Sequence, residues 1–439
     1  MHASDLRSIL QYVPKFRDGV FVVCIEGDVA ASENFRRILL DLAVLRSLNI
    51  RIILIHGAAH QINALSYNRR VEISDDSGMG TTDSRTLEIA IDATTRLLCD
   101  VYRGLTTVNL RAAATNCLYA EPSRDDEGHS LGYTGVVRHV DTRATRLFLD
   151  RGVIPVFMPL GYDKEGNCYR LNSDHVAAEV AKAVNARKIL HLTTKELKTE
   201  EGEFIRYLSV EEAERLLKMD DFHAGAALRG KLAGAAAACR MGVERVHILP
   251  GNADGALLNE IFSSEGIGTM IFADDYQQIR RLQKRDTSAI MDLIRESVDS
   301  AELVRRNRRD ITRNIDDYWV IETDGALMGC VALHVYPEQR LGELACLYIK
   351  QNFNNRGYGR KLMHFVEKLA LQKGLKAVFA LSTQTYSYFE RKGGYQVTDA
   401  DFLPPERRER YEASRRNSKV LVKHLEGQAQ GQKAPRPSR

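Results

Sequence analysis

The sequence predicts an α/β protein in two parts: a helix–sheet–helix sandwich over a mostly parallel sheet, then a smaller α+β domain. Three observations carry this. Between residues 20 and 272, short apolar runs alternate with stretches of helical period, as repeated βα units require. After residue 278 the apolar runs fall closer together, and Asp324-Gly325 between two of them is a hairpin signal. Within that second part, an apolar run at 344–349 precedes the turn Asn354-Asn355-Arg356-Gly357-Tyr358-Gly359. A face of Leu362, Phe365, Val366, Leu369 and Ala370 follows, so the stretch reads as strand, glycine turn and helix, with Gly374 as the stop.

Taken in order, residues 4–18 read as an amphipathic helix with Leu6, Ile9, Leu10, Val13 and Phe16 on its apolar side. Its partner is either its own domain or a neighbouring subunit. A strand at 21–25 leads to a helix at 33–47 capped by Ser32, and a strand at 50–55 leads to a loop at 56–61. A helix at 83–103 follows, with Thr82 as its cap. Strand 153–158, helix 174–185, strand 188–192, helices 210–218 and 230–241, and strands 245–249 and 268–272 complete the first part. A polar linker is expected at 274–280. The second part takes strand 279–282, helix 286–299, strands 318–323 and 327–334, and the strand–turn–helix unit. Strand 377–381, a helix ending at Lys392-Gly393-Gly394, and strands from 395 and at 419–425 close it. The expected divisions are therefore an N-terminal helix at 1–18, domains at 19–273 and 281–425, and a disordered tail at 426–439.

Composition narrows the class. A net charge of +4 gives no general argument for nucleic acid. Basic residues do crowd 280–313 and 406–423, but one tyrosine among the arginines of the latter offers little stacking, so no nucleic-acid partner is expected. The seven cysteines are scattered without a CxxC pair, which suits reduced thiols and no metal. No apolar run reaches membrane length, and the first residues lack a signal-peptide layout. These features predict a cytoplasmic enzyme without a membrane partner.

A glycine turn opening a helix leaves backbone N–H groups free at the positive end of the helix dipole, a natural seat for pyrophosphate. A P-loop would need a hydroxyl residue where Gly359-Arg360-Lys361 has none, and a dinucleotide fingerprint would need a third glycine beside Gly357 and Gly359. The turn resembles the acyl-CoA loop of the GCN5-related N-acetyltransferases, Gln/Arg-x-x-Gly-x-Gly/Ala, with Asn354 departing at the first position. The segment from Tyr386 to Tyr395 resembles a later helix of that superfamily. The resemblance implies acetyl-CoA held by Leu347, Ile349, Asn355, Arg356, Gly357, Tyr358, Gly359 and Arg360.

The first part resembles the amino-acid kinase family, and acetylglutamate kinases most closely. The matching stretches include Phe21-Val-Val-Cys-Ile-Glu-Gly-Asp28, His56-Gly-Ala-Ala-His-Gln-Ile62, Thr81-Thr-Asp-Ser-Arg-Thr-Leu-Glu88, Leu171-Asn-Ser-Asp-His-Val-Ala-Ala178, Gly230-Lys231 and Gly266-Ile-Gly-Thr269. The family's first-strand lysine and one following glycine are replaced by Cys24 and Glu26, which removes the cation that phosphoryl transfer needs. Lys231 and Asp174 are retained. A fold kept for binding is expected. Resemblance to arginine-inhibited members places an effector site at Tyr12, Lys195, His247, Glu260 and Gly266.

The order of the two halves resembles the bacterial N-acetylglutamate synthases. That implies acetyl transfer from acetyl-CoA to the amino group of L-glutamate, the first step of arginine biosynthesis, with feedback inhibition by L-arginine and a homo-oligomer, suspected to be a hexamer. Two rivals are a bifunctional synthase and kinase, and an arginine-sensing protein with a degraded acetyltransferase. The chemistry asks for a base, for which Glu343 is chosen against the alternative of a salt-bridged strand-end residue. It asks for an oxyanion donor, for which the Leu347 N–H is chosen if its strand splays from its neighbour. Ser382, Tyr386 and Tyr388 compete to protonate the leaving thiolate. Arg306, Arg407 and Arg416 are the candidates for the substrate carboxylates, since a planar fork suits them.

Overall fold

The computed structural model describes residues 13–425 apart from 15, 76–77, 199–201, 203, 220–221, 223–224, 263–265, 274–277, 292, 294–307, 324–325, 351–356, 384 and 414–417. The chain divides into two units, Met1–Asp274 and Asp275–Arg439. The first contains β1 (Val20–Ile25), β2 (Arg51–His56), β3 (Ala112–Ala114), β4 (Leu118–Arg124), β5 (Ser130–Val140), β6 (Ile154–Phe157), β7 (Leu160–Tyr162), β8 (Cys168–Arg170), β9 (Lys188–Thr193), β10 (Tyr207–Ser209), β11 (Arg245–Pro250) and β12 (Thr269–Phe272). Its main sheet runs β10-β12-β11-β9-β1-β2-β6-β3. Every adjacent pair is parallel except β11–β12. The central strands are buried on both faces because helices cover both sides, and this is why β1, β2 and β9 read as unbroken apolar runs.

Alternate residues of β1 feed two cores. Val22 and Cys24 pack with Ile53, Ile55 and the helix Ser173–Val184 on one face. Phe21, Val23 and Ile25 pack with Leu54 and the helices Phe35–Ser47 and Ser84–Thr107 on the other. A small closed barrel of β4, β5, β8 and β7 was not expected. Its strands are short or polar, with β7 and β8 only three residues long, so their period is too brief to read.

Helix starts also differ from expectation. The helix expected at 33 begins at Phe35. Ser32 does not cap it, because its Oγ donates to Val29 O at 2.7 Å. Asn34 precedes the helix and instead ties it to the β11 end, donating to Gly251 O and Ala253 O. Asp83, not Thr82, caps the helix Ser84–Thr107 by accepting from Thr86 N at 2.7 Å, while Thr82 pairs with Thr134 in the interior. The expected loop at 56–61 contains the start of a helix, Ala59–Arg69.

The second unit contains β13 (Gln278–Arg281), β14 (Tyr318–Thr323), β15 (Ala326–Tyr336), β16 (Leu341–Ile349), β17 (Ala377–Ser382), β18 (Gln396–Thr398) and β19 (Lys419–His424), in the order β13-β14-β15-β16-β17-β19-β18. β13 pairs with β14 and starts inside the stretch read as linker, so the linker expectation is too long by the residues from Gln278 onward. β14 and β15 are antiparallel, and Asp324 and Gly325, where the hairpin turn is expected, lie outside the described residues. Half of the helix expected at 286–299, residues 292 and 294–299, does too, while residues 287–291 and 293 are helical. The helix Tyr358–Gln372 stands where the apolar face predicts it. The later helix is a single turn, Tyr386–Tyr388, followed by a π-helical segment, Phe389–Gly393, and Gly394 at φ +71°. A helix Pro405–Ala413 was missed because its face is almost wholly charged. None of the seven cysteines is in a disulfide, and no described helix is long and apolar enough to cross a membrane.

Asp41 lies buried on the Phe35–Ser47 helix with no partner for Oδ2 among the described residues. Burial, reinforced by the nearby Asp254 charge, raises its pKa to about 6. The folded state therefore holds a proton between about pH 4 and 6 that the unfolded chain has lost, so this group's contribution falls as pH rises through that window. Asp41→Asn should be more stable than the wild type at pH 7 and should lose that advantage near pH 4. Urea midpoints at the two pH values check this, and an equal difference at both would refute it.

Candidate active site and effector site

The β16–β17 ladder is parallel and stops early, with only Leu341, Gly342 and Glu343 opposite Ala377, Val378 and Phe379. β17 continues to Ser382 on β19, while β16 continues to Ile349 on β15, so the two strands part after Glu343. β16 also carries a bulge. Cys330 faces Tyr348 and Ala332 faces Ala345, which leaves Cys346 and Leu347 opposite the single residue Val331. Cys346 has φ +52°, and its carbonyl accepts from Cys330 Sγ–H at 3.4 Å. Such an extra residue bends its strand. Leu347 and Ile349 therefore lie on the free stretch of β16, as the expected oxyanion donor requires.

The helix Tyr358–Gln372 starts at Gly357, whose φ of +77° favours glycine, and no side chain caps it. Tyr358 and Gly359 are buried and Arg360 is exposed. Tyr388 reaches this end: burial pushes its hydroxyl pKa up, and the Arg360 backbone N–H opposes that push. A Cβ on Gly359 would collide with the Tyr388 hydroxyl. Asn355 and Arg356 lie outside the described residues.

Glu343 is buried at the fork of the two strands. Arg407 donates from Nε to Oε2 and from its terminal nitrogen to Oε1, each at 2.8 Å, a bidentate pair. Tyr336, which the sequence did not single out, donates to Oε2 at 3.1 Å. Burial, with the Glu343 charge beside it, holds the Tyr336 hydroxyl far above its ordinary pKa. Arg407 is thus engaged with Glu343. Ser382 is buried at the end of β17, 3.0 Å from Thr385 Oγ1, and accepts from Thr385 N. Tyr386 is half-buried with Lys419 Nζ 3.7 Å from its ring centre. Arg306 and Arg416 lie outside the described residues.

In the first unit, Lys231 is buried between two carboxylates, Asp174 at 2.6 Å and Glu26 at 3.0 Å, and Asp174 also stands 3.3 Å from His191 Nδ1. The two acids outweigh burial and hold the Lys231 ammonium charged, and Lys231 in turn holds Asp174 ionised. The Cys24 thiol is buried against Ser173 O, and burial pushes its pKa up. A phosphate here would meet a thiol and an already neutralised lysine.

The expected effector residues separate into those brought together and those not. Glu260 Oε1 is 2.6 Å from His247 Nδ1, and its Oε2 accepts from Ile267 N at 2.7 Å and Gly268 N at 2.9 Å. Those bonds hold the Glu260 carboxyl down at about 2. Lys188 Nζ lies 3.3 Å from His247 Nε2 and 5.0 Å from the Phe16 ring centre. Burial, together with the Lys188 charge, lowers the His247 pKa to about 4, so the ring is neutral with its proton assigned to Nδ1, facing Glu260. Gly266, at φ +60°, leaves no room for a side chain beside Glu260, and its carbonyl accepts from Arg206. Lys195 is exposed, and no hydrogen bond or ion pair joins its side chain to this cluster. Tyr12 lies outside the described residues. Lys188 was missed because it reads as the polar entry of an apolar strand.

The amino acid kinase family model matches residues 19–250, and the acetyltransferase (GNAT) family model matches residues 276–394. The amino-acid acetyltransferase of Photorhabdus laumondii subsp. laumondii is 31% identical over 436 residues, 96% of each chain. That of Yersinia enterocolitica is 32% identical over 433 residues, 95% of this chain and 97% of its own. Among solved structures, N-acetylglutamate synthase from Neisseria gonorrhoeae complexed with coenzyme A and L-arginine superposes with a TM-score of 0.77 at 31% identity, covering 97% of this chain and 100% of that one. Its complex with coenzyme A and N-acetyl-glutamate gives 0.62 at 32%, covering 97% and 99%. With near-complete coverage and both domain types in the same order, this chain belongs to the amino-acid acetyltransferase family.

Proposed function

We propose that this acetyltransferase moves the acetyl group of acetyl-CoA to the amino group of L-glutamate and is inhibited by L-arginine at its kinase-like unit. The observation that carries the reading is the gap between β16 and β17, with a glycine-opened helix N-terminus at Gly357 and a buried carboxylate at the apex of the gap. A pantetheine arm can pair with the exposed edge of β16 while its pyrophosphate takes the helix N-terminus. Glu343 is the base for the ammonium, directly or through water, and Leu347 N–H the oxyanion donor. Tyr388, rather than Tyr386, is favoured as the proton source for the thiolate: it lies at the start of the helix, whereas Lys419 covers Tyr386 and Ser382 is tied to Thr385. Arg306, Arg407 and Arg416 hold the substrate carboxylates. The coenzyme A, N-acetyl-glutamate and L-arginine of the Neisseria complexes support the choice of coenzyme, amino acid and effector. Phosphoryl transfer has no place in this reading, because Glu26 and Asp174 already neutralise Lys231. We place the protein in the cytoplasm as a homo-oligomer, with six subunits as the first number to test by light scattering.

Thiol release from acetyl-CoA with a panel of L-amino acids should favour L-glutamate over L-glutamine by at least about 100-fold. Equal turnover across the panel, or turnover of acetylglutamate with ATP at kinase rates, would defeat the reading. Gly359→Val, which drives a branched side chain into Tyr388, should raise the acetyl-CoA KM by at least about tenfold. An unchanged acetyl-CoA KM would remove the helix end from the site. Lys195→Ala should shift the midpoint of L-arginine inhibition upward by roughly tenfold if its ammonium reaches the effector carboxylate. An unmoved midpoint would take Lys195 out of that site.

A further inference from the structure

The pairing of Glu343 raises a problem that the geometry also resolves. A substrate ammonium brought to this carboxylate would stand beside the Arg407 charge, and the like charges repel. A ligand that merely pushed Arg407 aside would leave the buried Glu343 carboxylate without its cation, which is strongly unfavourable. A ligand carrying its own carboxylate avoids both penalties, because Arg407 exchanges one carboxylate for another and stays paired. Arg407, with its side chain 19% exposed on the helix Pro405–Ala413, is the partner placed to turn; Glu343, at 7%, is not. Tyr336 is fixed on β15 with its ring against Phe379, centroids 5.8 Å apart. Its hydroxyl donates to Glu343 Oε2 from a different element than Arg407, so this bond does not run through the guanidinium.

We propose that Arg407 is a substrate-operated latch on Glu343, and that Tyr336 is the positioning residue that keeps the freed carboxylate in place. The side-chain carboxylate of the incoming amino acid draws the guanidinium fork off Glu343. Glu343 then takes one proton from the substrate ammonium. The amine lone pair attacks the thioester carbonyl and forms the C–N bond; collapse breaks the C–S bond. The coenzyme leaves as thiolate and takes a proton from Tyr388, which regains one as nitrogen sheds its remaining surplus proton, and Glu343 returns its own to solvent. The site thereby couples selection of an acidic side chain to exposure of the base, a deepening that rests on the L-glutamate reading above.

The test compares L-glutamate with L-glutamine, which has the same shape without the charge, at saturating acetyl-CoA. In the wild type, L-glutamine cannot lift the latch. Arg407→Gln should raise the KM for L-glutamate and raise kcat for L-glutamine by at least about tenfold. A glutamine kcat that stays level or falls, in a variant that melts and binds acetyl-CoA like the wild type, overturns the latch. Should that variant not fold, a structure of the wild type with coenzyme A and L-glutamate decides: a fork on the substrate carboxylate is expected, and a fork still on both Glu343 oxygens refutes the proposal. Tyr336→Phe should lower kcat for L-glutamate about tenfold with KM within about twofold; a change in melting temperature alone would leave Tyr336 a packing residue. Glu343→Gln separates the two claims. If it is inactive while Arg407→Gln leaves glutamine turnover unmoved, the base stands and the latch fails. If it keeps wild-type turnover, the base fails and the latch with it.

Discussion

The second unit depends on the place where β16 and β17 stop pairing. Three residue pairs hold them together, and after Glu343 they diverge because a bulge at Cys346 bends one strand while β19 keeps hold of the other. The cost is a non-glycine residue at positive φ and a run of strand edge without its second neighbour. In return the sheet offers polar backbone groups along an unpaired strand edge, in the same unit as a helix whose N-cap, Gly357, carries no capping side chain. In the function proposed above, a thioester with a peptide-like arm takes the strand edge and its pyrophosphate the helix end. The buried carboxylate stands at the apex because the apex is the last paired position.

The first unit treats charge in the opposite way. Around Lys231 and around His247, buried charged groups are matched internally, carboxylate against cation and carboxylate against backbone N–H. Removing one partner from such a set typically costs about 3–5 kcal/mol because the other stays buried and uncompensated. In the Lys231 set, Glu26 and Asp174 already match the lysine charge. The Glu260 set stitches β11 to the turn before β12, so it shapes the backbone that the effector reading requires rather than offering a free carboxylate. Selection by exchange of ion-pair partners, as inferred for Arg407, differs from both: there the pair is at the rim of a cleft and one member can turn.

Much of the architecture was legible because its signals are local. The apolar runs of β1, β2 and β9 and the helical face after Gly359 each lie within a few residues of sequence. The barrel of β4, β5, β8 and β7 was not legible, since three-residue strands carry no measurable period. Nor was the Pro405–Ala413 helix, whose charged face gives no apolar stripe. Thr82 failed as a cap because the adjacent Asp83 could reach Thr86 N while Thr82 was drawn into the interior by Thr134.

The sequence by itself determined the order of the two folds, the glycine that opens the helix after β16, and a thiol rather than a cation at Cys24 on the first strand. Each is a property of residue type at short range, where backbone freedom, dipole direction and charge are set by neighbours. Tertiary structure alone decided that Arg407 reaches back over sixty-four positions to grip Glu343, that Tyr336 braces it, and that Lys188 stands against His247. Those contacts depend on how strands register and helices pack across long stretches of chain. The sequence carries the partners but not the distance between them.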